Sequence, residues 1–250
     1  MSQGLPPWLD AGAGGRPGIA HLLDYTLLHP EATRDDILQL CDDAAAAQTW
    51  AVCVNGGWVS TCAARLRHTG VRLVAVVGFP FGAASGAAKA AEAAIALADG
   101  ATELDMVFQL GRAKAGDWAA VTEDVALVVA AARGALVKVI IESAALSADE
   151  VSRACAAAMI GGAGFLKTST GFHPSGGATI DAVRRMRDAV GAALGVKASG
   201  GIRTQEQALS MVAGGANRIG LSSLAGLASI IGPQALSLHE LLSRQASGVT

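Results

Sequence analysis

Aromatic residues make up only 4% of this 250-residue chain, with a single tyrosine among them. The hydrophobic share of 52% is carried largely by alanine, a balance that favours many closely packed helices over a sheet sandwich. Cysteines are few: Cys41, Cys53, Cys62 and Cys155, none in a C-x-x-C pair. That excludes a disulfide framework or a zinc ribbon and reads as reduced thiols in a cytoplasmic protein. Neither sign of charge dominates, with 19 Lys+Arg against 21 Asp+Glu, so no field is present to attract nucleic acid or a membrane. No apolar run approaches the ~18 residues of a membrane span. The opening MSQGLPPWLDAGAGGRPG has neither a basic n-region nor an apolar h-region and reads as a loose leader, not a signal peptide. The five histidines (21, 29, 68, 173 and 239) are scattered without ligand spacing, so no metal or cofactor site is expected. A G-x-G-x-x-G turn after the first strand and a serine nucleophile elbow are both missing.

What is present is a regular alternation. Strand-like runs occur at LLDYTL (22–27), WAVCVN (50–55), RLVAVVGF (72–79), ELDMVF (103–108), LVKVIIES (136–143), FLKTST (165–170), GVKAS (195–199) and RIGLS (218–222), separated by helical patterns. Their starts recur on average about every 28 residues, the spacing of a (β/α)₈ TIM barrel. Ser147-Ala-Asp-Glu150 and Thr204-Gln-Glu-Gln207 match the capping box of a helix start, and Thr33-Arg-Asp-Asp36 is a weaker version. Gly100-Ala, Gly162-Ala and Gly215-Ala each stand two residues before a strand, the place for a left-handed glycine that ends a helix. The pattern therefore predicts a single α/β barrel over 20–235, a flexible leader over 1–19, and a C-terminal helix and tail over 236–250.

Strands of a parallel barrel are apolar on both faces. This chain departs from that with Asp24, Asp105, Lys138, Glu142, Lys167 and Lys197. Structural ion pairs inside the barrel, or groups facing the helices, would account for any one of them. Together, on different strands near their C-terminal ends, they mark where barrel chemistry is built. Glu103 is expected to face outward. Two lysines on the predicted sixth and seventh strands suit imine chemistry, which needs a neutral amine. A free lysine loses its proton near pH ~10.4, and bringing that to neutrality takes roughly 4–5 kcal/mol. A second ammonium ~5 Å away supplies about 3 kcal/mol at an effective dielectric near ~20, and partial desolvation can add the rest. The small-residue turns Thr170-Gly171, Ser199-Gly200-Gly201 and Ser222-Ser223 follow late strands, where backbone N–H groups cradle phosphate in this architecture.

In order, LLDYTLL, AVCVN, VVGFPFGA, ELDMVF, LVKVIIES, FLKTSTGF, GVKASGGIRT and IGLSS resemble the signature segments of the deoxyribose-phosphate aldolase family, over residues 20–230. The resemblance implies a metal-free class I aldolase that reversibly cleaves 2-deoxy-D-ribose 5-phosphate to D-glyceraldehyde 3-phosphate and acetaldehyde, without a cofactor. By motif, Lys167 would form the Schiff base, Lys197 would depress its pKa and Asp105 would serve proton transfer. Asp24 and Lys138 would support substrate hydroxyls or ordered water. Thr170, Gly171, Gly200, Gly201, Ser222 and Ser223 would hold the phosphate. A homodimer is the family expectation. Phe172 departs from members with a lysine after the TSTG glycine, which puts one cationic phosphate contact in question. Another Schiff-base aldolase, transaldolase-like, is the alternative enzyme; a non-catalytic phosphometabolite-binding barrel is the alternative of another class.

Overall fold

The computed structural model describes residues 18–232 and 236–247. Nearly all of the expected leader, and the last three residues of the tail, lie outside the described residues. Eight parallel strands close on themselves in chain order: β1 Leu23–Leu27, β2 Ala51–Val54, β3 Arg72–Val77, β4 Glu103–Val107, β5 Leu136–Ile140, β6 Phe165–Lys167, β7 Gly195–Ser199 and β8 Arg218–Leu221. Between them run α1 Arg34–Ala46, α2 Val59–Arg65, α3 Gly86–Ala98, α4 Leu110–Lys114, α5 Trp118–Ala131, α6 Ala148–Ile160, α7 Ile180–Val190 and α8 Gln205–Ala213. Helices α9 Leu224–Ile231 and α10 Leu238–Ser247 follow the last strand. The expected (β/α)₈ barrel is the observed fold.

Local sequence accounts for the joints. All three capping boxes form, at Thr33, Ser147 and Thr204, each side chain accepting the amide three residues on. Gly100, Gly162 and Gly215 take positive φ of 110°, 88° and 117°. The alanine after each donates its amide to the carbonyl five residues back, Ala101 to Ala96, Ala163 to Ala158 and Ala216 to Met211. This is the Schellman closure that turns a helix end sharply into the next strand.

Side-chain alternation along the strands divides the core in two. Outward residues such as Val52, Leu104, Met106, Val139, Leu166 and Ile219 pack beneath the helices. Inside the barrel, the β1–β3 side is apolar, with Leu28, Ala51, Cys53, Val74 and Val76 in one cluster. Cys53 is thus an interior thiol, and burial above all pushes it up to about 11. The remaining interior is polar and forms the site described next.

Strand β6 is shorter than expected. Beyond Lys167 the Thr168 hydroxyl donates to the Ser199 carbonyl and accepts the Ser199 amide, so a side chain takes over what a strand ladder would do.

Candidate active site

The register sets the chemistry. Lys167 and Lys197 are direct partners across β6 and β7, as Asp105 and Lys138 are across β4 and β5. Paired residues in a sheet project to the same face, so all four enter the barrel together. Asp105 Oδ2 accepts from Lys167 Nζ at 2.9 Å and from Lys197 Nζ at 2.8 Å. The two ammonium groups therefore share one oxygen atom. Asp105 Oδ1 accepts from Lys138 Nζ at 2.8 Å, and Lys197 also donates to Asp24 Oδ2.

Glu103 does not face outward: it is buried, lies two residues before Asp105 on the same face, and its carboxylate is 2.7 Å from Lys138 Nζ. Arg218, to which the sequence reading gave no role, reaches Asp24 Oδ1 at 2.7 Å and Glu103 Oε2 at 3.1 Å. Its guanidinium also lies 4.5 Å from the centroid of Trp50, whose indole N–H donates to Glu103. Together these close the N-terminal end of the barrel. Glu142 stands apart from the network. It leaves β5 with φ of 49° and accepts from the Thr170 amide and hydroxyl instead.

Among the described residues the buried network holds three carboxylates, Asp24, Glu103 and Asp105, against four cations, Lys138, Lys167, Lys197 and Arg218; the half-exposed Arg72 reaches Glu103 from outside it at 3.6 Å. Every buried carboxylate of the network comes from β1 or β4 and every buried cation from β5 to β8, while Arg72 is on β3. Lys197 and Lys138 each contact more than one carboxylate, while Lys167 contacts Asp105 alone. Lys167 is also the network's opening to the cavity above it. Burial alone would push the Asp24 carboxyl up; Arg218, Lys197 and Lys138 together outweigh it and hold that group down at about 2. Asp105 is likewise buried, and Lys138, Lys167 and Lys197 hold it well below the usual carboxylate range. Burial pushes the Lys197 ammonium down, but Asp105 and Asp24 prevail and raise it above the ordinary lysine value, so it stays charged at neutral pH.

These directions predict an acid-labile fold. A carboxyl lowered by folding contributes stability that is fully present above its unfolded value near ~4 and is lost as pH falls through the lower, folded value. For Asp24 that window runs down to about 2 and involves roughly 2–3 kcal/mol. The urea midpoint should therefore drop between pH 5 and pH 2, and Asp24→Asn should flatten that drop while lowering the midpoint at pH 7. An acid limb of unchanged steepness in the variant would contradict the assignment. Lys197, raised on folding, contributes below the unfolded lysine value near ~10.4 and loses it only above.

Above the network lies a cavity of about 550 Å³. Lys167, Thr170, Gly171, Gly200, Gly201, Ser222 and Ser223 all line it, so the residues singled out on three separate turns meet in one place. Lys197, Asp105, Asp24 and Lys138 lie beneath. The turns are fitted to one another: the Ala178 amide donates to Ser199 and Gly200 carbonyls, and a Cβ on Gly177 would stand 2.2 Å from the Gly200 oxygen. Ser223 caps α9 by accepting the Gly226 amide at 3.0 Å, which aims that helix N-terminus at the cavity. Thr170 Oγ1 is committed: it donates to Glu142 Oε2 at 2.6 Å and accepts the Phe172 amide. Arg203, His29 and Phe172 also line the space, and no role was given to the first two. Arg203 lies within the GGIRT segment, two residues past the glycine turn, and that proximity was the available signal. Among the described residues no group of three or more His, Cys, Asp or Glu side chains is arranged to hold a metal ion.

A closed parallel barrel whose ionisable groups gather under a cavity at the C-terminal ends of its strands defines an enzyme of the TIM-barrel class. Residues 19–229 match the family model for DeoC/LacD family aldolases. The chain belongs to that family and is an aldehyde-lyase. It is 52% identical over 211 residues to the deoxyribose-phosphate aldolase of Mycobacterium avium, covering 83% of this chain and 94% of that one. It is 50% identical over 208 residues to the same-named enzyme of Kocuria rhizophila, with the same two coverages. The solved deoxyribose phosphate aldolase of Aeropyrum pernix, a tetramer, superposes with a TM-score of 0.78 at 33% identity, over 85% of this chain and 89% of that one. No helix among the described residues is long and apolar enough to cross a membrane.

Proposed function

We propose that the enzyme reversibly cleaves 2-deoxy-D-ribose 5-phosphate to D-glyceraldehyde 3-phosphate and acetaldehyde through a Schiff base on Lys167. One observation carries the reading: Lys167 faces Lys197 across two strands, shares one Asp105 oxygen with it, and opens onto the cavity. With Lys167 protonated the buried network has one positive charge too many; with Lys167 neutral it balances. Lys197 and Lys138 are each held by more than one carboxylate, so Lys167 is the amine the network can most readily leave neutral.

The neutral amine adds to the C1 aldehyde of the open-chain sugar, and loss of water gives the iminium. Removal of the C3 hydroxyl proton then breaks the C2–C3 bond. Its electron pair flows into the iminium, leaving an enamine and releasing glyceraldehyde 3-phosphate. Protonation at C2 and addition of water release acetaldehyde and restore the amine. Asp105, between the two lysines, is the group through which these protons pass, with Lys197 keeping it charged. Asp24 and Lys138 hold Lys197 and Asp105 in place and orient ordered water or substrate hydroxyls. The phosphate sits against Gly171, Gly200, Gly201, Ser222 and Ser223, with the positive end of α9 favouring an anion there. Thr170 contributes by shaping its turn, since its hydroxyl is bound to Glu142. The reading includes a homodimer working in the cytoplasm; four buried, unpaired cysteines are consistent with a reducing compartment.

Borohydride trapping tests it. Incubation with acetaldehyde, reduction and peptide mass mapping should give one two-carbon adduct, on Lys167. An adduct on Lys197 alone would exchange the two roles, and scattered surface labelling would end the Schiff-base reading.

A further inference from the structure

Part of the cavity wall is aromatic, and the cleavage just described leaves that wall without a task. Phe172 is 45% exposed although it lines the cavity. Its ring stands edge-on to Phe79, with centroids 5.3 Å apart at 86°, and lies 6.1 Å from His29. Leu28 and Ile202 line the same space. The ring is anchored from behind. The Phe172 amide donates to Thr170 Oγ1 at 3.1 Å, and that hydroxyl donates to the buried Glu142 carboxylate. Glu142 also receives the Thr170 amide and is itself held in a left-handed turn. A buried carboxylate thus fixes the backbone from which an exposed ring projects.

An anion gains little from a phenyl ring, whereas an alkyl or aryl group gains apolar contact and an aromatic partner. We propose that Phe172, with His29 beside it and braced edge-on by Phe79, is a specificity-determining residue that forms an acceptor subsite for aldehydes carrying an apolar tail. This rests on the aldolase reading run in the direction of bond formation. The enamine carbon of the acetaldehyde unit attacks the acceptor carbonyl carbon, forming the C–C bond, and the carbonyl oxygen takes up a proton. Water then cleaves the iminium, releasing a 3-hydroxyaldehyde and the free Lys167 amine. The acceptor's tail lies against the rings while its carbonyl meets the enamine.

The test compares kcat/KM for 3-phenylpropanal and propanal as acceptors, with acetaldehyde as donor. The unaltered enzyme should prefer 3-phenylpropanal by about tenfold or more, the range an apolar contact supplies. Phe172→Ala and Phe172→Lys should each remove most of that preference, and Phe172→Lys should raise the rate with glyceraldehyde 3-phosphate relative to 3-phenylpropanal. Equal kcat/KM for the two aldehydes in the unaltered enzyme, or a preference untouched in both variants, would overturn the proposal. Acetaldehyde trapping on the unaltered enzyme involves no acceptor. An adduct on Lys167 without acceptor preference would remove the subsite alone, while the absence of an adduct would remove the Schiff-base reading beneath it.

Discussion

Replacing Lys167 with leucine should reduce kcat for deoxyribose 5-phosphate cleavage by roughly 10⁴–10⁶, the loss seen when a covalent nucleophile is removed. The variant should nonetheless fold. Asp105 keeps Lys138 and Lys197, and the network is left with three carboxylates against three cations. Urea unfolding should place its stability within about 1 kcal/mol of the unaltered protein, because no buried charge loses its last partner. Substantial residual cleavage, with the borohydride adduct on another residue, would reject Lys167 as the nucleophile.

Lys197→Leu removes the same charge with a different result. Three carboxylates again face three cations, but one of those cations is now Lys167. Neutralising Lys167, which chemistry requires, would then leave a net negative charge in the buried interior. The alkaline displacement of the rate profile should be about 2 pH units, the equivalent of one ammonium ~5 Å away at an effective dielectric near ~20. At pH 7 kcat/KM should fall about 100-fold. Lys197 is fully buried and bonded to Asp24 and Asp105, so its loss also lowers stability. Lys197→Arg keeps the charge and should hold the profile near its original pH. A Lys197→Leu profile that coincides with the unaltered enzyme's would end this role for Lys197.

Much of this was readable because the chain breaks its own pattern. Lys167 and Lys197 stand out in otherwise apolar strands, but which face they take was left open by the sequence and is fixed by the register of the closed barrel. The Gly-Ala joints and capping boxes were equally legible, since each depends on a few adjacent residues. Glu103 was misjudged although alternation with Asp105 already placed it inside; a carboxylate at a strand's first residue looks like a solvated end. Arg218 escaped for the same reason. Its partners, Asp24 and Glu103, lie 194 and 115 residues away in the chain, and only barrel closure brings the three together. The commitment of Thr170 to Glu142 depended on a turn geometry that no local motif announces.

The distribution of charge along the chain has a consequence for assembly. All three buried carboxylates of the network belong to the first four strands and all four buried cations to the last four; the first half adds only the half-exposed Arg72. A half-barrel closed alone would have to bury charges of one sign, at several kcal/mol per ion, with only the half-exposed Arg72 to offset Glu103 in the first half. Two copies of the same half would repel at the seam where complementary halves attract. Interior charge should therefore favour the joining of complementary halves, and the barrel is expected to close as one cooperative unit.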